Sequence, residues 1–161
     1  MLGYAATSDG YHITQPTADG PARSMQAALA NAQLTPDQID YVNAHGTGTP
    51  WNDGTETAAI KLALGDRAYQ VPVVSNKAAL GHSIAGSGAL ELIGCVLSLR
   101  DQIVPPTINY KVPDPDCDLD YVTEGKRSLP IKNIMSNSFA FGGSNAVLII
   151  REYEGGSHGL W

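Results

Sequence analysis

Four histidines stand in the chain, at 12, 45, 82 and 158, and two of them lie in loops that let backbone approach a ligand closely. His45 sits in Asn43-Ala44-His45-Gly46-Thr47-Gly48-Thr49-Pro50, where glycines allow tight turns and threonines offer hydroxyls. His82 closes Asn76-Lys77-Ala78-Ala79-Leu80-Gly81-His82, just before another glycine-rich turn. A single histidine at a strand end is more often a structural hydrogen bonder. Two, each in a Gly/Thr or Gly/Ser loop, bring a chemical reading level with the structural one. Two neutral imidazole N–H groups converging on one carbonyl oxygen would stabilise a developing enolate. That suits carbon–carbon bond formation through a thioester. Metal binding is the rival use of two histidines, but no HExxH or CxxC spacing supports it. Lys77 precedes His82 by five residues, and Glu56 opens the helix after the first loop. A buried Lys77–Glu56 pair is expected to fix both loops, and breaking it would cost about 3–5 kcal/mol.

These side chains need elements to aim them. Met1 to Ala6 reads as a strand and Pro21 to Ala32 as a helix; Thr35-Pro36 is a helix-start signal. Asp40–Ala44 and Val71–Ser75 read as buried strands. The first leads into the HGTGTPWNDGT loop and a helix over Thr55–Leu64, which Gly65 stops. The second leads into NKAALGHSIAGSG, a glycine-rich loop that opens a long helix to about Leu99. PPTINYKVPDPDCDLDY reads as a loop. Asn133–Ser138 and Ala146–Arg151 then read as two strands of a hairpin. Alternating strands and helices predict an α/β layer structure, and the closing hairpin makes its sheet mixed. Sites in such sheets collect just past the carboxyl ends of strands, where both histidine loops fall.

The bulk composition narrows the function classes. A chain of 161 residues, 43% hydrophobic and 16% charged, builds one globular domain with a real core. A net charge of -6 without a Lys/Arg run argues against nucleic acid as partner. No apolar stretch approaches the ~20 residues of a membrane span, and MLGYAATSDG is not a signal peptide. Two cysteines, Cys95 and Cys117, make no disulfide framework, which points to the cytoplasm. Neither reads as a nucleophile: Cys95 lies in an apolar helix pattern, and acidic neighbours would raise the Cys117 pKa. Residues 153–161 read as a disordered tail after a domain over 1–152.

Taken together, HGTGTPWND, NKAALGHSIAGSGALE and NSFAFGGSN resemble the signature loops of the β-ketoacyl-acyl-carrier-protein synthases, in that family's order. Any one motif is a weak signal; three in order are specific. The resemblance runs from about Gly3 to Arg151 and covers the C-terminal half of such enzymes. It implies a thiolase-like fold, here one three-layer α/β/α unit. It implies decarboxylative Claisen condensation of a malonyl group with an acyl thioester, in fatty acid synthesis. By resemblance, His45 and His82 hold the malonyl thioester oxygen and Lys77 supports them, with Glu56 behind. Thr47, Thr49 and Thr14 would contact the pantetheine arm. The Phe141 N–H would serve the oxyanion hole, while Phe139 and Phe141 gate the acyl pocket. Asn43, Glu91, Ser136 and Asn137 match a structural site for Na+ or K+; no other cofactor is implied. The implied partners are an acyl carrier protein, an N-terminal half carrying the nucleophilic cysteine, and a second copy.

Some features depart from the pattern. Ala140 and Ser144 stand where the family has glycine and threonine. Met1-Leu2-Gly3-Tyr4 enters the pattern mid-domain, so the chain alone is expected to form no acyl-enzyme. The face toward the other half should be apolar, which predicts self-association. Other readings stay open: a polyketide ketosynthase, a non-catalytic subunit of the chain-length-factor kind, or a serine hydrolase using Ser83 in Gly81-His82-Ser83-Ile84-Ala85. The hydrolase reading suffers because Asn76 to Leu80 separate the preceding strand from the motif.

Overall fold

A computed structural model describes residues 1–153, and the expected tail beyond Tyr153 lies outside the described residues. Strand β1 (Gly3–Ser8) precedes helix α1 (Asp19–Ala32), then come β2 (Tyr41–Asn43) and α2 (Asn52–Leu64). Strand β3 (Val73–Val74), the one-turn helix α3 (Lys77–Leu80) and the long α4 (Ser87–Asp101) follow. The short β4 (Ile103–Val104) and β5 (Arg127–Ser128) pair with each other, and β6 (Asn133–Ala140) and β7 (Ser144–Arg151) close the chain.

The main sheet runs β1-β7-β6-β2-β3. Its β2 is parallel to both β3 and β6, whereas β7 is antiparallel to β6 and β1. The mixed sheet with its terminal hairpin is the one the sequence predicts. Strand alternation divides the core in two. Val42, Val73, Met135 and Ile149 face α1 and α2, while Tyr41, Val74, Ile134 and Ile150 face Cys95 and Leu99 of α4. Side chains on a strand point alternately to opposite faces, so β2, β3, β6 and β7 feed both cores and three layers result.

Helix α1 lies close on β1 because its buried stripe is small: Ala22, Ala28 and Ala32, with Met25 and Leu29 between them. A Cβ on Gly3 would come within 2.7 Å of the Ala32 Cβ, so glycine sets that spacing. Helix α4 is different. It buries Glu91, Cys95, Ser98 and Leu99, yet Leu90, Ile93, Val96 and Leu97 on its other side are exposed. A helix apolar on both faces normally has protein on both.

Candidate active site

The two histidine loops leave the carboxyl ends of neighbouring parallel strands β2 and β3. The turn after β6 joins them, since β6 pairs with the other edge of β2. Their rings meet: the His45 and His82 centroids are 5.8 Å apart with planes at 90°. Phe139 lies 5.6 Å from His45 on a third side.

His45 is held from beneath. The Glu56 carboxylate, on the second turn of α2, accepts the backbone N–H groups of His45 and Gly46 at 2.8 Å each. Asn137 and Asn52 donate to the same carboxylate at 3.1 and 3.3 Å. Burial pushes the Glu56 pKa upward, and these donors pull it back. Gly46 has φ 44°, and a Cβ there would come within 2.5 Å of the Ser75 Cβ, so the loop requires glycine at this point.

Lys77 pairs with Glu91, not with Glu56 as expected: Nζ lies 2.5 Å from Glu91 Oε1, with both side chains at least 95% buried. The oxygens of Glu56 are committed to the His45 loop, while α4 carries Glu91 to the lysine. The same ammonium donates to the His45 carbonyl at 2.7 Å and lies 3.3 Å from His45 Nδ1. The His45 pKa is lowered to about 3, by burial first and then by Lys77 and His82. With Nδ1 facing an ammonium, the neutral ring carries its proton on Nε2. His82 reaches the same tautomer by another route. Its Nδ1 accepts the Ile84 N–H at 3.0 Å and meets Ser87 Oγ at 3.0 Å. Ile84 takes φ 51° to make this contact, a strained conformation for a β-branched residue. Both rings are therefore set up as Nε2–H donors.

The other expected residues are spread around this centre. The Thr47 and Thr49 hydroxyls lie 3.0 Å apart, and Thr49 Oγ1 accepts the Asn52 N–H at 3.3 Å. Thr14 is exposed, and its N–H donates to His12 Nδ1 at 3.1 Å. Its neighbour Ile13 accepts the Gly142 N–H at 2.9 Å, which ties that segment to the turn bearing Phe141. Phe141 is 79% exposed at the tip of this turn. Ala140 is extended at φ -140°, so its methyl is accommodated without backbone strain.

Asn43, Glu91, Ser136 and Asn137 are buried together. Asn43 Nδ2 donates to Glu91 Oε2 and Ser136 Oγ at 3.2 and 3.0 Å. The carboxamide oxygens of Asn43 and Asn137 have no protein partner. Hard oxygen donors left unpaired beside a carboxylate fit a small alkali cation. Among the described residues no three His, Cys, Asp or Glu side chains form a metal-ligand group.

Ser83 does not occupy a nucleophile elbow, because helix α3 and not a strand precedes it, and His82 Nδ1 bonds elsewhere. Neither thiol is activated: burial pushes Cys95 up to about 12 and is also the largest cause raising Cys117. A cavity of about 430 Å³ lies behind the His45 loop, lined by Gly46, Thr49, Asp53, Ile60, Tyr110 and Cys117; neither imidazole faces it.

The sheet is a mixed α/β sheet with both histidine loops at adjacent strand ends, and the chain belongs to the β-ketoacyl synthase family. Residues 1–111 match the family described as beta-ketoacyl synthase, C-terminal domain. Over 156 residues the chain is 49% identical to 3-oxoacyl-[acyl-carrier-protein] synthase 2 of Synechocystis sp., covering 96% of this chain and 38% of that protein. A putative polyketide beta-ketoacyl synthase 1 of Streptomyces cyaneus is 46% identical over 150 residues, covering 92% of this chain and 36% of the relative. Among solved structures, a type II polyketide ketosynthase in complex with its acyl carrier protein superposes with a TM-score of 0.91 at 41% identity, covering 95% of this chain and 38% of that one. The chain thus spans under two fifths of the length of the relatives it matches.

Proposed function

We propose that this chain is the C-terminal domain of a 3-oxoacyl-[acyl-carrier-protein] synthase of fatty acid biosynthesis, an acyltransferase that performs decarboxylative Claisen condensation. The observation carrying this reading is the pair of Nε2–H imidazoles with centroids 5.8 Å apart. A malonyl thioester oxygen between them receives two hydrogen bonds. As the bond to the malonyl carboxylate breaks and carbon dioxide leaves, the electron pair moves onto that oxygen as an enolate. The N–H donors stabilise the charge as it forms. The enolate carbon then attacks an acyl thioester on a cysteine supplied from outside this chain. The C–S bond breaks, and the thiolate departs.

The remaining roles are part of the same proposal. Lys77 keeps Nδ1 of His45 as an acceptor. Thr47 and Thr49 engage the pantetheine arm of the acyl carrier protein, with Thr14 at its edge. Phe139 and Phe141 line the acyl entrance, and the Phe141 N–H joins the oxyanion hole. An alkali cation would be held by Asn43, Glu91, Ser136 and Asn137, where it would offset buried carboxylate charge. The apolar α4 face packs against the N-terminal half, and the complete protein acts as a cytoplasmic dimer. The similarity to polyketide ketosynthases supports a second reading, in which the same chemistry extends a polyketide.

A crystal structure of the complete protein with a malonyl-pantetheine amide analogue tests the geometry. The analogue's carbonyl oxygen should lie within about 3.2 Å of both Nε2 atoms. An oxygen bonded to neither ring would overturn the reading.

A further inference from the structure

The loop from His45 to Thr49 has little ladder bonding of its own, and three of its backbone N–H groups are held by two carboxylates of α2. Glu56 accepts those of His45 and Gly46, and Asp53 Oδ1 accepts that of Gly48 at 3.1 Å. Positions 53 and 56 share one helix face, so two negative groups are held near each other beneath the loop. One side chain lies between them. Asn52 Nδ2 donates to Asp53 Oδ1 at 3.0 Å and to Glu56 Oε2 at 3.3 Å. Both amide protons are used, and the orientation is forced, because the carboxamide oxygen would face two carboxylates if the group were flipped. Asn52 is 9% exposed, and its backbone N–H is bound to Thr49 Oγ1 at 3.3 Å. It therefore touches the carboxylates beneath the loop and the hydroxyl at the loop's end.

We propose that Asn52 is a positioning residue: its carboxamide bridges the two carboxylates that hold the His45–Thr49 backbone, and so sets where His45 and the threonine pair stand. The proposal deepens the condensing-enzyme reading, but its test needs no substrate, so either can fail alone.

Amide hydrogen exchange reads the effect. In Asn52→Ala, the amides of His45, Gly46 and Gly48 should exchange about tenfold faster or more, while Val42 and Ile149 in the sheet hold their rates. Asn52→Asp, which keeps the shape but adds a third carboxylate, should loosen the same three amides further. Unchanged rates at the loop, or an equal rise along all of α2, would overturn the proposal. The unsubstituted protein supplies an independent reading if the variants fold poorly. There both Asn52 carboxamide protons should exchange slowly and show NOE contacts to the Gly46 and Gly48 amides; free exchange of both protons would contradict the bridge.

Discussion

Lys77 Nζ sits 2.7 Å from the carbonyl oxygen of His45 and 3.3 Å from that residue's own Nδ1. One ammonium thus fixes both the backbone and the ring of the same histidine, while its charge is balanced by Glu91 on α4. Lys77→Met keeps much of the side-chain volume but leaves Glu91 buried without its cation. The expected loss is about 3–5 kcal/mol of folding stability, measured by urea unfolding. A loss under about 1 kcal/mol would show that the pair behaves like a surface ion pair.

The pH dependence of His45 has a definite sign. Its pKa is about 3 in the fold against 6.5 in the unfolded chain. Between those values the unfolded state binds more protons. This group's contribution is therefore fully present above about pH 6.5 and is lost as pH falls toward 3, with a slope of up to about 1.4 kcal/mol per unit. Glu56, pushed upward by burial, acts in the opposite direction as pH rises above its ordinary value of 4.5. Following the His45 ring carbon by NMR separates the two groups. The resonance should stay in its neutral position at pH 5, and a midpoint near 6.5 would contradict the buried environment.

Two glycines in left-handed backbone offer a graded comparison. Gly48 has φ 68° and open space where a Cβ would go, so Gly48→Ala should cost only about 1–2 kcal/mol of backbone strain. Gly143 has φ 75°, and a Cβ there would run into the Asp9 carboxylate and come within 2.8 Å of the Gly10 backbone nitrogen. Gly143→Ala should cost clearly more, and should also loosen the turn carrying Phe141. Thermal unfolding of both variants checks the ranking; equal costs would mean that Asp9 moves aside freely.

The exposed apolar side of α4, formed by Leu90, Ile93, Val96 and Leu97, should make the separate chain self-associate. The double change Ile93→Lys with Val96→Lys should shift it to monomer without loss of the fold, because neither side chain belongs to the two cores. Light scattering with circular dichroism would show this. A monodisperse monomer before any substitution would count against it.

Much of this arrangement was legible in the residues because it is local. The buried strand over Asp40–Ala44, the hairpin of Asn133–Ser138 with Ala146–Arg151, the Gly65 helix stop and the three glycine-rich loops all carry short-range signals. The structure adds what short range cannot encode. Helix α2 begins at Asn52, earlier than the apolar pattern suggests, and Thr49 Oγ1 accepts the Asn52 N–H at that start. Helix α3 is a single turn inside a segment that reads as loop. The two-residue strands β4 and β5 lie too far apart in sequence to announce their pairing. The choice of Glu91 over Glu56 as the partner of Lys77 depends on how α4 crosses the sheet, which residue spacing does not contain.

The most direct measurement is the single-turnover release of carbon dioxide from malonyl-carrier by the complete protein, for the parent and for His45→Ala and His82→Ala. If both rings donate to one developing enolate, each variant should lose about 10²–10³-fold in that step. Decarboxylation that survives undiminished in either variant would contradict a shared oxyanion.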